Sequence, residues 1–80
     1  MLNVLMTSPE KVLYEGMAER VIAPGEVGTF EVLPLHRKLV SRLLAGTVTI
    51  DDKRYAIRRG VLSVADDSVT AVVELARERT

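Results

Sequence analysis

The side chain best suited to moving a proton is His36, the single histidine, whose ordinary pKa puts its change of charge near neutrality. General acid or base work would need a carboxylate to orient the ring and a nucleophile to activate. Its neighbours Leu35, Arg37 and Lys38 supply neither. A turn or interface histidine with a hydrogen-bonded ring is expected instead. GxSxG, Walker A and HExxH patterns do not occur, so no constellation supports an enzyme, and neither a catalytic residue nor a cofactor site is expected. One histidine and no cysteine also leave a tetrahedral zinc site without ligands, so no metal site is expected.

Other groupings have plain explanations. Pro24-Gly25-Glu26-Val27-Gly28 contains a GxxG, which resembles the nucleotide clamp of KH domains. Such a loop joins two helices in basic surroundings, whereas this one carries Glu26 between β-rich segments. A turn whose glycines permit positive φ, entered through Pro24, explains it better. Asp51-Asp52 and Asp66-Asp67 could suggest a cation, but each pair sits where a turn is expected and where aspartate bonds its own backbone. His36, Arg37, Lys38 and Arg42 form a basic cluster, with Arg58-Arg59 as a second pair. Beside apolar Leu33, Leu35 and Leu39, the first cluster has the composition of an interface rim around a hydrophobic patch.

The elements that must position these residues are short. Pro9, Gly16, Pro24, Gly25, Gly28 and Pro34 punctuate the first half too often for ordinary helices. Leu2, Val4 and Met6 alternate with Asn3 and Thr7; 11–15, 20–23 and 29–33 are rich in β-formers, with Phe30 and Val32 on one face and Glu31 on the other. Further on, Val48 and Ile50, Tyr55 and Ile57, Leu62 and Val64, then Val69, Ala71 and Val73 repeat the alternation around turns at Asp51-Asp52-Lys53 and Asp66-Asp67-Ser68. That spacing predicts an all-β fold, a small two-layer sandwich of short antiparallel strands. Its predicted core comprises Phe30, Val48, Ile50, Tyr55, Ile57, Leu62, Val64, Val69 and Ala71. Residues 39–45 resist the pattern: Leu39, Val40, Leu43 and Leu44 fall at i, i+1, i+4 and i+5 before Gly46, which suits a short helical turn as well as a strand. The tail from Glu74 to Thr80 is expected to fray.

Length and charge bound the rest. Eighty residues make one domain, 1–80, and a chain this size buries only about 60 to 65% of its unfolded surface, so it leans on disulfides, metals or a partner. Without cysteine or metal ligands, a partner surface is the remaining support. Lysine plus arginine equals aspartate plus glutamate at 11 each, which argues against nucleic acid. Met1 to Met6 is apolar but has no charged leader, and no apolar run approaches the roughly 18 residues of a membrane span, so a soluble cytosolic chain is expected.

Taken in order, these segments resemble the N-terminal β-sandwich domain of the epsilon subunit of rotary (F-type) ATP synthase. The likeness runs from Leu2-Asn3-Val4-Leu5 and Ser8-Pro9-Glu10 through Tyr14-Glu15-Gly16 and Val21-Ile22-Ala23-Pro24-Gly25-Glu26. It is most specific where that family reads GxFGVLPGHAPL and this chain reads Gly28-Thr29-Phe30-Glu31-Val32-Leu33-Pro34-Leu35-His36-Arg37-Lys38-Leu39, then Gly46. Glu31 and Leu35 replace family glycines, and Arg37-Lys38 replaces alanine-proline. Leucine does not visit positive φ as readily as glycine, so a different turn before His36 is expected.

The resemblance implies a non-catalytic central-stalk subunit of a proton- or sodium-translocating synthase, with the gamma subunit and the c-ring as partners. It would lie at the cytoplasmic face of the membrane, peripheral through the complex and without insertion of its own. By family position, Pro24, Gly25, Glu26, Val27 and Gly28 would face the c-ring. Leu33, Leu35, His36, Arg37, Lys38, Leu39 and Arg42 would contribute rotor contacts. The family's C-terminal helical hairpin, which can brake hydrolysis, has no counterpart before Thr80, so no brake is expected of these residues. The replaced loop residues keep an alternative in view: a free-standing adaptor or small-ligand-binding module on the same scaffold.

Overall fold

Alternating side chains build eight strands: β1 (Leu2–Thr7), β2 (Val12–Ala18), β3 (Val21–Gly25), β4 (Gly28–Val32), β5 (Leu39–Leu43), β6 (Gly46–Ile50), β7 (Lys53–Ala65) and β8 (Ser68–Leu75). The structure is a computed structural model that describes residues 1–76, and it holds no helix among them. Hydrogen-bonded neighbours run β2-β1-β8-β7-β5-β3-β4, with β6 pairing β3 and β7. All pairs are antiparallel except β1 with β8. Residues 39–45 therefore resolve as strand and connection rather than a helical turn. β5 and β6 together form one long arm antiparallel to β7, interrupted at Leu44-Ala45.

That long hairpin serves both layers. The first half of β7 pairs β6 over Lys53–Ile57, and the second half lies between β5 and β8. The alternations around Tyr55 and Leu62 thus belong to one strand. It bends where the register shifts between Ile57 and Arg59, followed by Gly60. A Cβ on Gly60 would stand 2.7 Å from the Val72 carbonyl oxygen and 2.8 Å from Val73 Cγ1, so only glycine lets β8 approach this closely.

Buried side chains from both layers meet in one core: Leu2, Val4, Met6, Val21, Val32, Leu43, Val48, Ile50, Ile57, Leu62, Val64, Val69, Ala71 and Val73, with Ala18 and Ala23. Seven of the nine predicted core residues are among them. Phe30 and Tyr55 are half-buried and pack against the cluster from its margin, where the Tyr55 hydroxyl can still donate to the Leu13 carbonyl at 3.4 Å. The Phe30 ring lies over Gly25, where an added Cβ would stand 2.8 Å from its Cε1. The break at Ser8-Pro9 is a side-chain turn, the buried Ser8 Oγ accepting from the Glu10 and Lys11 amides at 3.3 Å each. Of the tail expected to fray, Glu74 and Leu75 belong to β8, and the Ala76 amide donates to the Ala56 carbonyl at 3.0 Å. Residues 77–80 lie outside the described residues.

Candidate partner-binding surface

Buried Val32 ends β4, and Pro34 turns the chain. The His36 amide donates to the Leu33 carbonyl at 3.1 Å, closing a four-residue turn with Pro34 and Leu35 at its centre. Leu35 takes φ 69°, the left-handed conformation that glycine enters freely. A leucine thus sits, strained, in a conformation that favours glycine, and it projects 90% exposed. Its amide donates to Asp67 Oδ1 at 2.7 Å. Beyond it, half-buried His36 donates from Nδ1 to the Arg37 carbonyl at 2.7 Å, the hydrogen-bonded turn histidine expected. Arg37 and Lys38 are exposed and make no ion pair among the described residues. Leu33 is half exposed, whereas Leu39 packs inward against the core.

The second segment, Pro24 to Gly28, is mostly strand. Pro24 and Gly25 belong to β3 and Gly28 to β4, leaving Glu26-Val27 as a two-residue tip. Pro24, which has no amide to give, sits where β3 changes neighbour from β6 to β5. Gly28 takes φ 125°, and Val27 stands free in solvent. Arg42 joins this tip, its guanidinium 3.8 Å from Glu26. Four residues of extended strand, about 13 Å, part it from Lys38. The basic cluster of the sequence is therefore two groups at opposite ends of β5.

The aspartate pairs do form hairpin turns, yet their carboxylates reach much further. Asp66 and Asp67 both take positive φ, the primed turn that suits hairpin twist. Asp51, also at positive φ, accepts from the Glu19 and Arg20 amides at 2.9 and 3.1 Å, pinning the connection that carries the chain from β2 to β3. Arg58 and Arg59, consecutive across the bulge, both meet Glu74, at 3.5 and 3.4 Å.

One surface escaped the sequence reading. On the layer formed by β2, β1, β8, β7 and β5, outward side chains line up across strands. Val61 lies between Arg42 and Val72, and Val72 leads through Thr7 to Val12. Val40 leads through Ser63 and Thr70 to Leu5. Val40 is 75% exposed, and Val12, Val61 and Val72 are each at least half exposed. Among the described residues its charges stand at the margins: Arg42 on β5, Glu15 on β2, and the Arg59–Glu74 pair where β7 and β8 run past Val61 and Val72. The opposite layer instead presents Glu31, Thr49 and Arg54 outward, in one cross-strand row with half-buried Ile22. The available signal was Val61-Leu62 and Ala71-Val72-Val73, apolar on both parities of a strand, the pattern of a sheet covered on both faces.

A family described as the β-sandwich domain of the ATP synthase delta/epsilon chain matches residues 1–79. The ATP synthase epsilon chain of Leptospira borgpetersenii is 35% identical over 77 residues, covering 91% of this chain and 61% of the relative. That of Bordetella parapertussis is 35% identical over 80 residues, covering 94% and 57%. The chain thus spans about three fifths of the length of these curated relatives. Among solved structures, a chain of the Tetrahymena thermophila mitochondrial ATP synthase central stalk and c-ring superposes with a TM-score of 0.79 at 15% identity, covering 91% of this chain and 63% of the other. A chain of the Euglena gracilis mitochondrial ATP synthase, in an assembly of OSCP, F1 and c-ring, gives 0.82 at 18% identity, covering 90% and 49%. At such identities the structures share the fold.

Proposed function

Because the chain belongs to the family of ATP synthase delta/epsilon β-sandwich domains, we propose that it is a non-catalytic rotor part, clamped between the gamma subunit and the c-ring of an ion-translocating synthase. The observation that carries this reading is the uneven surface. One outer face of the sandwich is solvated by charge, while the other exposes Val12, Val40, Val61 and Val72 with Leu5 and has charges only at its edges. An uncharged apolar face of this kind is what a lasting protein interface covers. Leu33, Leu35, Arg37 and Lys38 extend it at one end, and the Glu26-Val27 tip with Arg42 lies at the other.

In this reading the gamma subunit covers the apolar face and the Leu33 to Lys38 loop, and the c-ring meets the Glu26-Val27 tip. β4 joins the two contacts directly, five residues of paired strand between tip and loop. A short strand paired into a sandwich transmits force without the slack of a linker. The domain would hold peripherally to the membrane through the ring. Among the described residues no helix is long and apolar enough to cross a membrane.

The test is co-purification. An affinity-tagged chain, co-expressed with the gamma subunit and c-ring of the same synthase, is expected to bring both down, and Val61→Lys with Val72→Lys to lose gamma while remaining folded. A tagged chain that leaves both behind would refute the proposal.

A further inference from the structure

The turn that presents Leu35 is held by one side chain from elsewhere in the chain. Leucine at φ 69° is strained, because its Cβ crowds the neighbouring carbonyl, and no covering side chain offsets this, since Leu35 is 90% exposed. What meets the turn is Asp67. Its Oδ1 lies 2.7 Å from the Leu35 amide across 32 residues of sequence. Asp67 is itself fixed twice, by φ 62° in the β7–β8 hairpin and by its own carbonyl, which accepts from the Asn3 amide at 2.8 Å. The hydrogen bond thus runs from a turn with a strained residue to the paired corner where β1, β7 and β8 meet.

We infer that Asp67 is a positioning residue for docking: its carboxylate latches the Leu33 to His36 turn so that Leu35 is projected as an anchor for the partner. This rests on the reading of that loop as part of the gamma-binding surface. Strain is retained where the rest of the structure enforces it, and here the enforced result is a bare leucine aimed at solvent. An anchor held in its bound conformation loses less conformational freedom on docking and so binds more tightly.

Two substitutions separate the latch from the hairpin. Asp67→Gly keeps positive φ, which glycine takes readily in a primed turn, and removes the acceptor. Asp67→Asn keeps both the left-handed tendency and a carbonyl acceptor. In the free full chain, amide hydrogen exchange at Leu35 is expected to be roughly tenfold faster in Asp67→Gly and near wild type in Asp67→Asn. The melting temperature of Asp67→Gly should fall by less than the lost hydrogen bond alone implies, because glycine relieves the strain of positive φ. The unsubstituted protein offers a second measurement, a scalar coupling across the hydrogen bond from the Leu35 nitrogen to the Asp67 carboxylate carbon. A missing coupling, or unchanged exchange in Asp67→Gly, would overturn the latch.

Binding to purified gamma subunit supplies the other arm. Affinity is expected to fall roughly tenfold in Asp67→Gly and to recover in Asp67→Asn. If exchange quickens while affinity stays unchanged, the latch stands but the anchoring role of Leu35 is overturned. If neither wild type nor variant binds gamma, the proposed function fails while the exchange result still decides the latch.

Discussion

Asp51 and Asp67 occupy hairpin turns, but the amides they hold belong to other connections. Asp51 accepts two amide hydrogen bonds from Glu19 and Arg20 while sitting at φ 54°. Asp51→Ala should therefore lower stability by about 1–3 kcal/mol, through lost hydrogen bonds and a Cβ without local compensation at positive φ. Asp51→Asn should recover most of it, and chemical denaturation distinguishes the two. Leu35→Gly should act in the opposite sense, raising stability by up to about 1 kcal/mol as the left-handed strain is relieved, less the entropy that glycine adds to the unfolded chain. The turns themselves were legible, because paired aspartates between apolar runs favour them. The remote partners of the two carboxylates were not, since which backbone lies 31 or 32 residues away is decided only when the layers close.

Among the elements, β7 shows where pattern reading succeeds and where it stops. Both stretches of its alternation were visible around Tyr55 and Leu62, but not the fact that one strand carries them with a register shift between. Gly60 marks a close approach rather than an end: Gly60→Ala would drive a methyl group to 2.7 Å from the Val72 carbonyl oxygen. A loss of about 1–3 kcal/mol is expected, which lowers the melting temperature of a domain this size by at least several degrees. Calorimetry would register it; an unchanged melting point would mean that β8 can move away. β5 was ambiguous for a different reason. Leu39 and Leu43 are four apart, a spacing that keeps two side chains on one face of a helix and equally on one face of a strand. Pairing with Val64 and Gly60 decides for strand, and Val40 and Leu44 are left facing out.

At the scale of the whole molecule, the expected loop contacts came from resemblance, while the apolar face became visible only once strands were in register. Parity along a single strand says which residues share a face, not which strands lie beside it. The two kinds of contact should differ kinetically. Arg37→Glu with Lys38→Glu should slow association with gamma in a salt-sensitive way, because exposed charges steer encounter. Leu35→Asp should mainly speed release, because apolar anchors supply most of the lasting affinity. Surface plasmon resonance at two ionic strengths reads both. Unchanged kinetics in folded variants would place the interface elsewhere on the sandwich.

The lone parallel pairing has a consequence for how the chain reaches this state. β1 lies between β2 and β8, and its register sets Asn3 beside Ser68 and Thr7 beside Val72. Within the sandwich the first strand is thus completed by the last of the eight, and synthesis delivers β1 well before β8. Until β8 emerges, β1 and β2 form an isolated hairpin, a marginal structure in water with an open edge. The long hairpin of β5, β6 and β7 needs only local contacts and can form earlier. Nascent chains stalled before Ser68 should therefore be cut by protease within β1 and β2, and chains extended past Leu75 and clear of the ribosome should resist. Equal resistance in both would show that the first layer closes without its final strand.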